Sequence, residues 1–237
     1  MSQSPVFKPV THVIFDMDGT LIDTESIHKK TYKKIAAEYG KEFPDDLRGK
    51  ILGRQEFDVA ALIIDTLKID LTPREFLDKV NAIESEDLTK VKLMPGVEDL
   101  LEHFRRNSVP MAVATSSSMS SYRMKTSHLQ DCFSVFNHVV TGASDPEVKH
   151  GKPAPDIFKI CASRFPDNPL CNQCLVFEDS SNGVTAAAAA GMQVVMVPDF
   201  SSADSQSRAN ATLVLDSLED FCPEMFGLPP YSIELYL

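Results

Sequence analysis

At 237 residues, with 43% hydrophobic and 24% charged side chains, the chain can build one large domain or two smaller ones and has neither a fibrous nor a disordered composition. A formal net charge of −11 argues against nucleic-acid backbones and acidic membrane surfaces as partners, since both reward a basic face. No apolar run approaches the ~18 residues that a membrane span needs, and the five scattered cysteines, Cys132, Cys161, Cys171, Cys174 and Cys222, do not read as a disulfide framework. The short polar segment 1–9 lacks the features of a secretory or transit peptide, so a cytoplasmic protein is expected, with no membrane and no nucleic acid among its partners.

Along the chain, short apolar runs rich in Val and Ile predict strands at 11–15, 110–114, 138–141, 174–177, 193–197 and 212–215. Their continuous apolar character, without strict alternation, suits strands buried on both faces of a parallel sheet. From Leu21 to about Lys92 the pattern changes to helical periodicity. Ile27, Ile35 and Tyr39 would share one stripe, Phe57, Ala61, Ile64 and Leu67 a second, and Phe76, Val80 and Ile83 a third. Thr72-Pro73-Arg74-Glu75 reads as a helix start, with Thr72 capping and Glu75 three residues on. Helices are also predicted over 97–106, 155–164 and 182–190, between strands, so repeated βαβ units follow. The polar stretch 201–210 reads as a surface loop. The expected organisation is an α/β core made of residues 1–21 and 93–237, with a helical module of residues 22–92 inserted in it.

The chemistry gathers at strand ends. Phe15-Asp16-Met17-Asp18-Gly19-Thr20 puts two carboxylates where the first strand finishes, the position at which open α/β sheets collect ligands. Asp and Gly are also ordinary turn residues, so this stretch alone leaves a plain turn open. Glu178-Asp179 adds a second acidic pair after the run Cys174-Leu175-Val176-Phe177. Four carboxylates at two strand ends repel one another unless a cation lies among them, and an oxygen-only ligand set points to magnesium. A helix N-terminus that favours negative charge could account for one of the second pair, but poorly for both. Two further loops offer phosphate-binding groups: Ala114-Thr115-Ser116-Ser117-Ser118, and the segment 149–156 containing Gly151-Lys152-Pro153. Each alone reads equally as a helix cap or a surface turn. Cys171 and Cys174 have metal-ligand spacing but lack a second pair, and are read as incidental.

Together these segments resemble the four motifs, in order, of the haloacid dehalogenase-like superfamily: Asp16-Met17-Asp18-Gly19-Thr20, Thr115, Lys152 within Gly-Lys-Pro-Ala-Pro-Asp, and Glu178-Asp179. The resemblance implies a Rossmann-like parallel sheet core with an inserted α-helical cap, and a phosphatase that uses Mg2+ on a small phosphorylated metabolite. Asp16 would be the nucleophile that forms an aspartyl phosphate, and Asp18 the acid and base, a role that calls for a raised pKa. The metal would be held by Asp16, Asp18 through its backbone carbonyl, and Asp179, with Glu178 acting through water. Thr115, Ser116 and Lys152 would bind the phosphoryl oxygens. Cap-bearing members of the family suggest Thr24 and His28 near the entrance to the site and Gly53-Arg54 on the facing loop. Arg54 reads equally as a solvated arginine, and His28 as a packing residue.

Longer strings, 145–153, 175–179, 191–199 and 226–229, are similar to the pseudouridine-phosphatase and plant-type glycerol-3-phosphatase branches of the superfamily. They imply a pseudouridine 5'-phosphate phosphatase, with glycerol 3-phosphate or other sugar phosphates as the alternative substrates. Residues 231–237 match no motif. The rivals are a β-phosphoglucomutase-like phosphomutase, which needs a second phosphate site in the cap, a dehalogenase, and a non-enzymatic phospho-receiver, which needs neither Asp18 nor a cap. A monomer or weak dimer is expected.

Overall fold

The structure is a computed structural model that describes residues 6–51, 54–198 and 205–231, side chains 49 and 205–207 excepted. Gly53, Asp199 and residues 201–204 and 232–237, on which some of the sequence expectations fall, lie outside the described residues. Among the described residues, six strands form one sheet: β1 (His12–Phe15), β2 (Met111–Thr115), β3 (His138–Thr141), β4 (Cys174–Glu178), β5 (Gln193–Met196) and β6 (Leu213–Val214). Their order is β3-β2-β1-β4-β5-β6 and every pairing is parallel. All residues of β1, β2 and β4 are buried, which is why these segments run apolar without alternation.

Side chains of β1 still divide by face. Val13 and Phe15 join an aromatic cluster with Phe104, Phe177 and Phe221, while Ile14 points to the opposite cluster with Val176, Phe158 and Ala186. On the first face lies α5 (Val97–Arg106); on the second lie α8 (Asp156–Ser163) and α9 (Ser181–Ala189), whose alanines let it sit close to the sheet. α6 (Met119–Thr126) and the short α7 (Gln130–Phe133) connect β2 to β3. The topology reverses direction at β1, whose neighbours β2 and β4 run outward to opposite edges, so a crevice opens at the carboxyl ends of β1 and β4. The sheet is thus the Rossmann-like one that the sequence predicts.

Four helices fill the segment between β1 and α5: α1 (Glu25–Glu38), α2 (Asp45–Ile51), α3 (Glu56–Leu67) and α4 (Pro73–Leu88). They bury an apolar cluster of their own, including Ile35, Leu47, Ile63, Phe76 and Val80. Thr72 starts α4 as the sequence predicts, its hydroxyl accepting from the Glu75 N–H at 3.3 Å while the Glu75 carboxylate accepts from the Thr72 N–H at 2.8 Å.

Two local expectations are corrected, and one helix is added. The buried face of α3 is Val59, Ala60, Ile63 and Leu67, and Phe57 is 57% exposed. Two apolar stripes were available on this helix, and packing against α4 takes the one with Ala60, whose small side chain permits close approach. The short, mostly polar α2 was not anticipated. Residues Ser205–Asn210 form a helix, α10, packed near α9, where the composition suggested a loop.

Candidate functional site

Asp16 leaves β1 with its N–H still bonded to the Phe177 carbonyl at 3.0 Å, so the end of β1 is tied to the end of β4. Glu178 closes β4 and Asp179 follows it. Carboxylate oxygens of Asp16, Glu178 and Asp179 all lie within 4.8 Å of one another, and all three residues are buried. Gly19 makes this approach possible: its φ is +88°, and a β-carbon there would lie 2.4 Å from Asp179 Oδ2.

Lys152 arrives from the loop before α8 and is fully enclosed. Its Nζ donates to Asp16 Oδ1 at 2.5 Å, to Glu178 Oε1 at 2.6 Å and to the Ala114 carbonyl at 3.2 Å. The other oxygen of Glu178 accepts from the N–H groups of Asp179 and Ser180 and from the Ser180 hydroxyl, each at 3.0 Å. One ammonium group therefore faces three buried carboxylates. Burial pushes Asp16 up to about 8, with Glu178 and Asp18 adding to the rise and Lys152 only partly offsetting it. Burial, then Glu178 and Asp16, hold Asp179 well above the usual carboxylate range. Clustered hard oxygen donors short of positive charge fit a divalent cation such as Mg2+.

Asp18 has different surroundings. Its Oδ1 accepts from Lys125 Nζ at 2.7 Å and from the Thr24 hydroxyl at 2.9 Å; its Oδ2 accepts from the Ser117 hydroxyl at 2.9 Å and the Thr115 hydroxyl at 3.3 Å. Burial alone would raise its pKa, but the charge and hydrogen bond of Lys125 prevail and bring it down to about 2. The raised pKa expected for this carboxyl is thus reversed. Lys125, in turn, is held above the usual lysine range by Asp18, against the effect of burial.

A cleft runs between this group and the helical segment. Asp16, Asp18, Ser116, Ser117 and Lys125 line one wall; His28, Arg54 and Glu84 are on the other. Thr115 is fully buried and its hydroxyl is engaged with Asp18 and the Ser117 N–H, while Lys152 stands behind Asp16. His28 Nδ1 lies 2.9 Å from Glu84 Oε2, and Arg54 bonds the Lys50 carbonyl through Nε at 2.7 Å. The Gln55 side chain reaches across to the Gly142 carbonyl at 2.9 Å, joining the start of α3 to the loop after β3.

Sequence reasoning missed Lys125, Ser117 and Glu84. Lys125 and Glu84 sit on helices, where isolated charged residues normally face water, so no local pattern marks them. Ser117 lies inside the serine-rich loop already singled out and was overlooked beside Ser116; Ser118 is the helix cap, accepting from the Ser121 N–H at 3.2 Å.

No helix among the described residues is long and apolar enough to cross a membrane. Over 227 residues the chain is 44% identical to the "Probable pseudouridine-5'-phosphatase" of Drosophila melanogaster, covering 96% of this chain and 98% of that one. It is 41% identical to (DL)-glycerol-3-phosphatase 2 of Arabidopsis thaliana, covering 94% and 93%. In fold it is similar to the crystal structure of CbbY from Rhodobacter sphaeroides in complex with phosphate, with a TM-score of 0.73 at 23% identity over 89% and 96% of the two chains. The family model described as haloacid dehalogenase-like hydrolase matches residues 13–197, a span that starts in β1 and ends just past β5 and so takes in every acid and lysine of the cleft: this chain belongs to that family.

Proposed function

We propose that the protein is a Mg2+-dependent phosphatase of small phosphomonoesters, and that pseudouridine 5'-phosphate is its substrate. The observation that carries this reading is Asp16 itself: a carboxylate on the cleft wall, hydrogen-bonded from behind by Lys152 and next to an under-neutralised acidic cluster. The names of the Drosophila relative and of the Arabidopsis glycerol-3-phosphatase support a phosphomonoester and leave glycerol 3-phosphate as the alternative.

In this reading Asp16 attacks phosphorus and forms an aspartyl phosphate, and Lys152 keeps its carboxylate oriented. Asp18 gives a proton to the leaving oxygen and later takes one from the attacking water. With a value of about 2 beside Lys125, it is ready for the second of these duties; for the first, a phosphate dianion that draws Lys125 toward itself would raise it. Ser116, Ser117 and Lys125 offer donors to the phosphoryl oxygens. Asp16, the Asp18 carbonyl and Asp179, with Glu178 close by, would hold Mg2+, which when bound supplies neutralisation of charge on the transferring group. Residues 22–92 act as a cap that excludes water and reads the leaving group through His28 and Arg54. The five cysteines are free, which supports a cytosolic setting, and a monomer or weak dimer goes with it.

The test is a panel of pseudouridine 5'-phosphate, uridine 5'-phosphate, glycerol 3-phosphate and flavin mononucleotide, with Mg2+, ranked by kcat/KM. Pseudouridine 5'-phosphate should lead. Hydrolysis of none of the four, or isomerisation of a hexose 1-phosphate faster than its phosphate is released, would sink the reading.

A further inference from the structure

We infer that Glu84 reads the leaving group together with His28 and Arg54: its carboxylate accepts a hydrogen bond from a hydroxyl or N–H of an uncharged leaving group and turns away esters with a second anionic group. The inference rests on the phosphatase reading and names the substrate class of that same site.

Glu84 projects from α4 into the cleft and is only 1% exposed. Its Oε2 is bound to His28 Nδ1 at 2.9 Å, and His28 is itself stacked on Tyr32, ring centroids 5.8 Å apart and 9° from parallel. The pair is therefore held in one orientation. Oε1, equally buried, has no hydrogen-bond partner. A buried carboxylate oxygen left unpaired is costly, and an apolar residue at this position would avoid that cost. Glu84 lines the cleft opposite Asp16 and Asp18, so a ligand bound there can supply the donor that this oxygen lacks.

Charge points the same way. Glu25, Glu56 and Glu84 line the helical side of the cleft against His28 and Arg54, and the other wall carries Asp16 and Asp18 against Lys125. A carboxylate or second phosphate on the leaving group would meet a wall whose unpaired oxygen repels it, and rejection by like charge is an effective source of specificity. A phosphomutase needs the opposite, a cap that welcomes a second phosphate. Arg54 is the exposed exception, and its Nε is already bonded to a backbone carbonyl.

The test compares four esters: pseudouridine 5'-phosphate and glycerol 3-phosphate, both uncharged and donor-bearing in the leaving group; propyl phosphate, which lacks donors; and 3-phosphoglycerate, which carries a carboxylate. The natural enzyme should prefer the first two in kcat/KM. Glu84→Gln keeps the volume, but with the amide oxygen accepting from His28 its NH2 faces the cleft and replaces an acceptor by a donor. The variant should lose about 10- to 100-fold more on the donor-bearing pair than on propyl phosphate, as expected for a charge-assisted hydrogen bond, mainly through KM, and the handicap of 3-phosphoglycerate should shrink. An equal loss on all four esters would mean that Glu84 only holds His28, and would overturn the inference. So would a natural enzyme that hydrolyses propyl phosphate or 3-phosphoglycerate as well as glycerol 3-phosphate.

Calorimetric binding of the same esters to Asp16→Asn separates the two readings. Donor-dependent affinity in that protein supports the role of Glu84 even if the natural enzyme releases no phosphate, a result that would count against the phosphatase alone. A flat affinity ranking counts against Glu84.

Discussion

Gly183, in the first turn of α9, stands so close to Glu178 that a β-carbon on it would lie 1.6 Å from Glu178 Oε1 and 1.8 Å from its carboxyl carbon. The carboxylate thus occupies the space that any other residue at 183 would fill. Gly183→Ala is expected to push Glu178 off Lys152 and off the N–H groups of Asp179 and Ser180. Overpacking alone costs about 1–3 kcal/mol, and the displaced buried hydrogen bonds add to it. Urea unfolding should show the loss, and a magnesium titration followed by activity should show weaker binding; an alanine variant equal to the natural protein in both would contradict the geometry.

Lys152 is the ammonium that Asp16 and Glu178 share. Lys152→Met leaves both carboxylates buried without it, and removing one partner of a buried ion pair typically costs about 3–5 kcal/mol. Stability in denaturant should fall by that amount and turnover should vanish. Added Mg2+ should restore part of the stability and none of the turnover.

Asp16→Asn changes little in volume and removes the nucleophile. Phosphate release should drop by ~10^4-fold or more, the scale seen when a nucleophile is removed, while circular dichroism and thermal unfolding still report a folded protein. A folded variant with undiminished turnover would refute the covalent mechanism.

Metal removal should act on both activity and stability. Excess chelator is expected to stop hydrolysis, and Mg2+ added back should restore it and raise the melting temperature, because a cation that binds only the folded state stabilises it by mass action. In Asp179→Asn the rise in melting temperature should be smaller.

His28 makes one contribution pH-dependent. Burial opposes its charge, but the hydrogen bond and charge of Glu84 prevail, and its pKa in the folded protein lies above the ordinary 6.5. A raised folded value means that the pair stabilises the fold fully below the unfolded pKa, and that this contribution fades as pH rises through the folded value. His28→Asn should therefore cost more stability near pH 6, about 1.5–3 kcal/mol for a hydrogen bond to a charged group, than near pH 9. A gap between the two proteins that stays constant or widens with pH would contradict this sign.

The strands were legible because the central ones, β1, β2 and β4, are buried on both faces, a condition that writes itself into consecutive apolar residues; all six fall within a residue or so of the segments expected. Asp16, Glu178 and Asp179 were legible for a related reason: a strand end is the nearest position at which such a run can deliver a charged group to the sheet's crevice. The face of α3 was not, since Phe57, Ala61 and Ile64 form as good a stripe as Val59, Ala60 and Ile63, and only packing against α4 chooses between them.

By itself the sequence determined the parallel sheet, the helical insertion and the acids and lysine that gather at the strand ends, because each of these leaves a local trace in apolar runs, caps and motif spacing. Only the tertiary structure decided that Lys125 lowers Asp18, that Glu178 lies on the backbone of Gly183, and that Glu84 lines the cleft with one carboxylate oxygen unpaired. These are contacts between residues 5 to 107 positions apart, and their energies depend on burial and distance, which no stretch of neighbouring residues records.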